Sequence, residues 1–307
     1  MQFKNLKQLV IYFGNDEQKC RDFLAKERWG NKPICVHCQH DKCYRFTDGR
    51  LYKCAKCRKQ FTVTMGTIFE NSKVPLSTWF AAIYLCTAHK KGISSIQLAK
   101  DLGVTQKTSW FMLMRIKEMT KVKDRAKMTR IVEVDETYVG GKERNKSNAE
   151  RKAFAEGKRK AEKTPVIGIV ERKGMAYLQV AKDVTGGTLK GLVREAADRM
   201  SIIVTDSFSG YTGLRDQYIG HVTVNHSQNE YISGIYHTNT VEGFFSILKR
   251  SILGIFHHLS VKHLQRYCDE ISFRYNTRYM EDAERFYYTL TKTEGRLTYK
   301  RLITAIN

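Results

Sequence analysis

The sequence predicts a multidomain α/β protein, and three observations along its 307 residues support this fold class. Two Cys-x2-Cys pairs lie early in the chain, a capped helical pattern begins near residue 75, and short β-branched runs then alternate with amphipathic stretches. The expected parts are an N-terminal helical segment (1–30), a cysteine ribbon (31–70), a helical domain (75–124), an α/β domain (128–290) with a basic insert (140–163), and a C-terminal tail (291–307).

Charge and hydropathy narrow the classes to which the chain can belong. It carries 53 Lys and Arg against 31 Asp and Glu, a formal net charge of +22, and such an excess points to a polyanionic partner. The 42% of hydrophobic residues can build real cores, which argues against a short DNA-packaging protein. No apolar run approaches the roughly 18–20 residues that span a bilayer, and the stretch Leu9 to Phe13 is too short for a signal peptide. We expect a cytoplasmic, nucleoid-associated protein with no membrane partner.

The cysteine pairs are Cys35 with Cys38 and Cys54 with Cys57, and fifteen residues separate them. This spacing is typical of a tetrahedral site for structural Zn²⁺, and reducing surroundings make a metal a better explanation than disulfides. Residues 43–46 and 50–53 are expected to form ribbon strands joined by a turn at 47–49. Basic residues such as Arg45 favour contact with DNA, while a purely structural clip stays open as the alternative.

Residues 75–123 follow a helical pattern. The predicted helices are Leu76 to about Ala88, a second one capped by Ser94 or Ser95 that ends before Gly103, and a third one capped by Thr105 that runs through Ile116. Two capped helices around a glycine turn are typical of a helix-turn-helix, whose second helix enters the major groove of DNA. Gln106, Lys107 and Ser109 would then lie nearest DNA. The alternative is a helical spacer between the ribbon and the next domain.

From residue 130 the chain alternates strands and helices. Strands are predicted at 130–136, 165–170, 176–184, 201–205 and 221–225, with helices at 188–200 and from about 239. In the first strand Val132 and Val134 face one side, and Glu133 and Asp135 face the other. Three strands followed by alternating helices and strands are the order of a ribonuclease-H-like fold. The basic insert holds nine basic residues against four acids and is expected to be a solvated loop, or a loop that becomes ordered on DNA.

Three carboxylates stand where separate elements can converge. Asp135 lies in the first strand, Asp206 follows the fourth, and Glu242 lies at the start of the last helix. Convergent carboxylates are what a pair of Mg²⁺ (or Mn²⁺) ions needs, and two such ions can clamp the attacking and leaving oxygens of a phosphoryl displacement. Lys249 lies seven residues after Glu242, two turns along the same helix face, where it could hold a DNA phosphate. Arg250 is a further candidate for contact with DNA.

Each carboxylate also has another interpretation. A neighbouring glutamate, Glu133 or Glu136, could be the ligand in place of the first aspartate. Asp206 could be a turn residue or a helix cap. Glu242 could bond back to the backbone of Asn239 in a capping box. The joint order of strand-borne and helix-borne acids in a strongly basic chain favours the metal site.

Several motifs resemble those of one known family. They are Phe23-Leu24 and Arg28-Trp29 before the cysteines, residues 60–69 after them, the segment Val-Glu-Val-Asp-Glu-Thr-Tyr-Val-Gly-Gly at 132–141, Asp206, residues 224–227 and 237–242, Lys249-Arg250, and Tyr275-Asn276-Thr277-Arg278. With these motifs, which cover nearly the whole chain, the sequence resembles the IS1595-type insertion-sequence transposases, which join a zinc ribbon to an ISXO2-like DDE catalytic domain.

The resemblance implies a ribonuclease-H-like fold, DNA transposition, and a catalytic set of two Asp, a Glu or Asn, and a Lys. These roles fall here on Asp135, Asp206, Glu242 and Lys249, with Asn239 as the alternative third ligand. The implied activity is metal-dependent cleavage and strand transfer of double-stranded DNA, at terminal inverted repeats and a target, by at least a dimer. A zinc-containing helix-turn-helix regulator and a ribonuclease-H-like nuclease that only hydrolyses DNA stay open as alternatives.

Overall fold

A computed structural model describes residues 2–121, 126–140, 147–156, 163–224 and 235–304. The chain divides into two compact units. Unit 1 comprises Met1–Lys121 together with Thr277–Asn307, and unit 2 comprises Val122–Asn276. None of the helices within the described ranges has the length and apolar character needed to cross a membrane.

Unit 1 begins with two helices, α1 (Leu6–Phe13) and α2 (Glu17–Trp29), in the segment expected to be helical. The side chain of Asn5 caps α1 and that of Asp16 caps α2 by accepting hydrogen bonds from backbone N–H groups of the first turn. Such caps satisfy donors that a helix cannot pair internally. The local sequence therefore fixes where both helices start.

The ribbon forms a three-stranded antiparallel sheet in the order β1 (Cys43–Arg45), β2 (Leu51–Cys54), β3 (Gln60–Thr62). The first two strands lie where the sequence predicts them, and the third was not predicted because three residues carry too little alternation. Trp29 at the end of α2 packs edge-on against Tyr52 and Phe61, with ring centroids 5.3 and 5.8 Å away. The ribbon core thus rests on the aromatic end of α2.

Three helices follow: α3 (Leu76–Ala88), α4 (Ser95–Leu102) and α5 (Gln106–Met119). Ser94 caps α4, Gly103 ends it in the left-handed conformation at φ 65°, and Thr105 caps α5. Glycine adopts that conformation without the steric cost that a Cβ adds. These bounds agree with the sequence, except that α5 continues three residues beyond the predicted Ile116.

Unit 2 is built on a five-stranded mixed sheet. Its strands are β4 (Ile131–Val139), β5 (Thr164–Glu171), β6 (Ala176–Val180), β7 (Ile202–Asp206) and β8 (Gly220–Val224), in the order β6-β5-β4-β7-β8. β4, β5 and β6 pair antiparallel, and β7 runs parallel to both β4 and β8. All five strands correspond to predicted ones, although β6 ends four residues early.

Four helices complete the described part of unit 2: α6 (Asn148–Ala155), α7 (Gly186–Ala196), α8 (Asn239–Ser251) and α9 (Val261–Asn276). A π-helical turn, Ile252–Phe256, extends α8. The expectation of a loop in the basic insert is wrong for α6. Residues 141–146 and 157–162 of that insert lie outside the described residues.

The sheet of unit 2 is covered on both faces. On one face Val132 and Val134 pack with Leu189 and Val193 of α7. On the other face β5 and β6 pack against α8 and α9, and Phe245 is one of the buried residues in this contact. A strand buried on both sides is apolar throughout, which explains the continuous run in β5.

The chain then returns to unit 1 as α10 (Asp282–Leu290) and α11 (Tyr299–Ile303). Phe286 and Leu290 of α10 are fully buried in the same core as Trp79 and Phe80 of α3. Residues 277–290, expected in the α/β domain, therefore belong to unit 1. Phe286 is the physical reason, because it stacks edge-on against Phe80 with centroids 6.0 Å apart.

Candidate active site

The four predicted zinc ligands lie together in the ribbon. Cys35 Sγ is 3.7 Å from Cys57 Sγ, and Cys38 Sγ is 3.6 Å from Cys54 Sγ. All four sulfur atoms lie within 4.8 Å of one another. A tetrahedral Zn²⁺ ion with sulfur ligands at about 2.3 Å separates those sulfurs by roughly 3.8 Å. The thiol cluster therefore fits a structural zinc ion.

Backbone geometry in this cluster favours a thiolate at Cys54. Burial opposes ionisation of Cys54, but N–H groups of Cys57 and Lys56 and the neighbouring thiols lower its pKa to about 6. The Cys57 nitrogen lies 3.5 Å from Cys54 Sγ, and the His37 nitrogen lies 3.4 Å from Cys35 Sγ. N–H groups that point at sulfur stabilise the deprotonated form that binds metal.

A second cluster lies in unit 2 where β4 and β7 separate. The register between these parallel strands ends at the pair Glu133–Val204, so Asp135 and Asp206, each two residues further on, stand level on one face of the sheet. Carboxylate oxygens of Asp135, Glu136 and Asp206 lie within 4.8 Å of one another. Crevices beyond the carboxyl ends of parallel strands are common ligand sites. We call these three residues the acidic cluster.

Glu136 enters the acidic cluster from the other face of β4, because successive strand residues point to opposite sides. There it meets Tyr211, in a 3₁₀ turn at Ser209–Tyr211. Glu136 Oε1 and the Tyr211 hydroxyl are buried and have no hydrogen bond of good geometry within the described part of the chain, although each group perturbs the pKa of the other. Buried polar atoms without such bonds are costly.

Electrostatics make the acidic cluster a fit for a divalent cation. Burial raises the pKa of Glu136 to about 7; the Tyr211 hydroxyl opposes this rise, and the charges of Asp206 and Asp135 add to it. Like charges this close repel one another unless a cation lies between them. Hard cations such as Mg²⁺ take carboxylate oxygens as ligands, so the donor set and the orphaned atoms both suit such an ion.

Glu133 is the other glutamate that the sequence left open as a ligand, and its environment differs. It is fully buried, and its oxygens accept hydrogen bonds from the backbone of Thr240 and Val241, the Thr240 hydroxyl and Arg172. A carboxylate has about four acceptor positions, and these partners occupy them. Glu133 is therefore unsuited to bind a metal in this arrangement.

Glu242, the predicted third ligand, is not one of the three residues in the acidic cluster. Its side chain is exposed in the first turn of α8, where its Oε1 accepts a hydrogen bond of 3.2 Å from the Thr238 hydroxyl. Asn239 and Lys249 are also exposed on α8. The capping-box alternative does not hold as stated, because Thr238 and not Asn239 occupies the cap position.

The predicted DNA-facing residues of α5 divide into two groups. Gln106 and Lys107 are exposed, and the Gln106 amide donates to the Ser95 hydroxyl. Ser109 is fully buried, and its hydroxyl donates to the carbonyl of Ser95 at 2.8 Å. The expectation that Ser109 faces DNA is therefore corrected: this residue packs α5 against α4.

The other predicted DNA contacts are basic side chains on exposed surfaces. Arg45 forms an ion pair with Asp22 and donates to the Gly49 carbonyl, so part of its charge is already compensated within unit 1. Arg250 is exposed on α8 and donates to the Ser246 carbonyl at 3.1 Å. Neither arrangement removes the side chain from solvent.

Two residues that meet the glutamates of β4 could not be identified from the sequence. Tyr211 carries no motif, and only the fold brings its hydroxyl to Glu136. Arg172 follows β5 and donates to Glu133 Oε1 at 2.6 Å. An arginine after a strand is unremarkable in sequence, so no local signal could have identified its partner.

Comparisons with known proteins agree with this organisation. Residues 127–276 match the model of the ISXO2-like transposase domain, and residues 15–60 match the transposase zinc-ribbon domain. A Halobacterium salinarum protein, described as an uncharacterized protein in transposable element ISH50, is 29% identical over 247 residues, which cover 76% of this chain and 82% of that relative. An uncharacterized transposase-like protein of Haemophilus influenzae is 29% identical over 104 residues, 34% of this chain and 83% of the relative.

The two matched regions contain the two clusters. The thiol cluster falls in the region that matches the zinc-ribbon model, and the acidic cluster falls in the region that matches the transposase model. The chain therefore carries both domains of the IS1595-type insertion-sequence transposases, the zinc ribbon and the ISXO2-like transposase domain.

Proposed function

We propose that the protein is a DDE-type DNA transposase that binds the terminal inverted repeats of its element and catalyses metal-dependent strand cleavage and strand transfer. The observation that carries this proposal is the acidic cluster. In it the two predicted catalytic aspartates, Asp135 of β4 and Asp206 at the carboxyl end of β7, lie close to a third carboxylate, that of Glu136. The sheet order supports a ribonuclease-H-like fold, because its three antiparallel strands adjoin two parallel ones.

Asp135, Asp206 and one further side chain would hold the divalent ions. Bound Mg²⁺ or Mn²⁺ would supply Lewis acidity to a phosphodiester in line with its nucleophile. Asp135 would be the central residue of the three carboxylates, because it is level with Asp206 across the sheet and adjacent to Glu136 in β4. The hydrogen bond that Asp206 Oδ1 accepts from the Phe208 N–H, at 3.1 Å, would hold that carboxylate in place.

The third ligand has three candidates. Glu136 already lies in the acidic cluster. Glu242 and Asn239 lie in the first turn of α8, and we favour Glu242 because it carries a charge and lies seven residues before Lys249. A change of side-chain rotamer would release Glu242 from Thr238. Lys249 would hold a DNA phosphate near the ions.

DNA contacts outside the site would come from both units. Gln106 and Lys107 on α5 would face the element end, in the manner of a helix-turn-helix, and Arg45 would contact backbone phosphate from the ribbon. Arg250 would extend the phosphate contact along α8. Cleavage of two element ends in one event implies at least two protomers in the active complex.

The test is strand transfer by the purified protein on a labelled duplex that carries the element's own end, with supercoiled target and Mg²⁺. The variants are Asp135→Ala, Asp206→Ala, Glu136→Gln, Glu242→Gln and Asn239→Ala, with Glu171→Gln as the matched control from the same sheet. Joined product should disappear with both aspartate variants and persist with the control. Loss with only one of the other three identifies the third ligand.

The alternatives give different products. A nuclease would release nicked or cut DNA and would never join it to the target. A regulator would bind the element end, leave it intact with any divalent metal, and be unaffected by Asp135→Ala. Either result would refute the proposal.

A further inference from the structure

Glu133 is a buried carboxylate that joins strand β4 to helix α8. Its Oε2 accepts hydrogen bonds from the backbone N–H groups of Thr240 at 2.8 Å and Val241 at 3.1 Å. Its Oε1 accepts from the Thr240 hydroxyl at 2.8 Å and from Arg172 Nε at 2.6 Å. The side chain is 0% exposed. It is two residues from Asp135 and on the same face of the strand.

These bonds replace a local helix cap. Thr238 occupies the cap position of α8, and its side chain makes no capping hydrogen bond to the first turn. The first N–H groups of a helix need acceptors, and a carboxylate also interacts favourably with the positive end of the helix dipole. Here both functions come from a residue more than one hundred positions earlier in the chain.

Arg172 fixes the segment that leads into α8. Its guanidinium donates to the carbonyl groups of Ile235 and His237 as well as to Glu133. His237 Nδ1 also lies 3.4 Å from Glu133 Oε1. The ion pair and the two carbonyl contacts therefore hold the lead-in and the first turn of α8 to the same buried carboxylate.

The anchored turn passes directly over the strand pair that carries the first aspartate. Asp135 pairs with Gly168 on β5. A Cβ on Gly168 would lie 2.7 Å from both Val241 Cγ2 and Phe245 Cε1. Only a glycine fits between sheet and helix at this point, so α8 lies very close to the strand beside Asp135. A small shift of α8 would therefore change the distance from Asp135 to the exposed residues of its first turn.

We propose that Glu133 is a positioning residue that fixes the first turn of α8 and thereby sets the place of Glu242 and Asn239 relative to Asp135. This inference rests on the proposed function only for its catalytic consequence. Glu133 itself would touch neither an ion nor DNA. It acts through the backbone of Thr240 and Val241.

Hydrogen exchange of the metal-free protein tests the anchor without any DNA. Glu133→Gln keeps the size of the side chain but turns one acceptor into an NH₂ group that must face existing donors. The amides of Thr240 and Val241 should exchange about 10- to 100-fold faster, because a buried charge-assisted bond is lost. Thr240→Val is a milder variant that removes only the hydroxyl contact and should give a smaller change at the same amides.

Glu171→Gln is the matched control for this measurement. Glu171 is also a sheet carboxylate with a backbone partner, since its Oε1 accepts from the Thr129 N–H at 3.0 Å, and this bond leads to the segment before β4 and not to α8. Its substitution should leave Thr240 and Val241 unchanged. Unaltered exchange of these amides in Glu133→Gln would overturn the proposal, and so would equal acceleration in the control.

A double-mutant cycle on strand transfer tests the catalytic consequence. Either Glu242→Gln or Asn239→Ala is expected to impair strand transfer by itself. If Glu133 acts through α8, adding Glu133→Gln to that impaired variant should lower activity by less than about threefold. Multiplicative losses would overturn the proposed route. A loss in Glu133→Gln with neither α8 variant impaired would overturn it as well. A wild-type protein without strand transfer would refute the proposed function, and the exchange experiment would still decide the anchor.

Discussion

The thiol cluster of the ribbon and the acidic cluster of the sheet are both groups of side chains suited to hold a metal ion, but they are assembled differently. The thiols come in two pairs that are close in sequence. In the second pair, Cys54 is the last residue of β2 and Cys57 follows three residues later. The carboxylates come from β4 and β7, two strands that are far apart in sequence and adjacent only in the fold. One cluster is local and the other is a product of topology.

This difference has an energetic counterpart. Without metal the thiols of a ribbon lose the bonds that hold a very small core together, and that core contains only Tyr52 and Phe61 besides cysteines as buried residues in the described chain. The acidic cluster rests on a sheet covered on both faces, so the fold would not depend on a metal bound there. Loss of a thiol should therefore unfold its domain, whereas loss of a carboxylate should mainly stop chemistry.

The largest effect is expected for Cys54→Ala. Removing one of four ligands should release zinc, whose binding to such sites is worth about 10–16 kcal/mol, and should unfold the ribbon. Bound zinc per chain and the fluorescence of Trp29, which packs on Tyr52, measure the two effects. Cys43→Ala is the control, because Cys43 lies in the ribbon but outside the four-thiol cluster. Retained zinc in Cys54→Ala would contradict the assignment.

Asp206→Asn should give the converse result. We expect strand cleavage to fall by about 10³-fold, since several kcal/mol of charge stabilisation is lost. The metal-free melting temperature should hold or rise, because one of three close negative charges disappears. The stabilisation that Mg²⁺ gives the wild-type protein should shrink. Thermal melts with and without Mg²⁺, together with the cleavage assay, measure these three effects. A large drop in the melting temperature of the metal-free variant would contradict the expectation that the acidic cluster serves chemistry and not the fold.

Gly168→Ala tests how closely α8 approaches the sheet. The added methyl would lie 2.7 Å from side chains of Val241 and Phe245, and such overpacking costs about 1–3 kcal/mol. Urea unfolding of unit 2, followed by hydrogen exchange in β5 and α8, measures the loss. Gly191→Ala in α7 is the control: nothing lies within 4 Å of its Cβ, and it should stabilise the helix by about 0.5–1 kcal/mol. Equal behaviour of the two variants would argue against the close approach of α8.

The smallest effect concerns pH. Hydrogen bonds from the hydroxyl groups of Thr188 and Thr185 and the Thr185 N–H lower the pKa of Asp183 from 3.8 to about 2. A depressed folded-state pKa means that this contribution to stability is complete above 3.8 and is lost as pH falls through about 2. Protection of the α7 amides should therefore differ between wild type and Asp183→Asn at about pH 5 and converge near pH 2. A difference that widens in acid would contradict the sign.

The fold could be predicted where its signals are local. Ser94, Gly103 and Thr105 mark the ends of α4 and α5 because caps and a left-handed glycine act within one turn. The assignment of α10 to unit 1 could not be predicted, since it depends on the contact of Phe286 with Phe80, distant in sequence. The short β3 and the helix inside the basic insert were missed because their patterns are weak.

The candidate site divides in the same way. The spacing of the four cysteines predicts the thiol cluster. Asp135 and Asp206 follow strand signals, and their convergence follows from the parallel register of β4 and β7. The contact between Glu136 and Tyr211 could not be predicted, because it depends on how the turn after β7 folds back against β4. The hydrogen bonds of Glu133 depend on where tertiary packing places α8. The sequence alone therefore cannot tell whether this glutamate, two residues before Asp135, binds a metal or holds the helix.

The most direct test of the metal-dependent chemistry is strand transfer by Asp135→Cys with Mg²⁺ and with Mn²⁺, beside Asp135→Ala. Mg²⁺ is a hard cation that prefers oxygen, and Mn²⁺ accepts a thiolate more readily. We predict that Asp135→Cys joins no DNA with Mg²⁺ and regains joining with Mn²⁺, while Asp135→Ala stays inactive with both. Joining by Asp135→Ala with Mg²⁺ would contradict a catalytic metal at the acidic cluster.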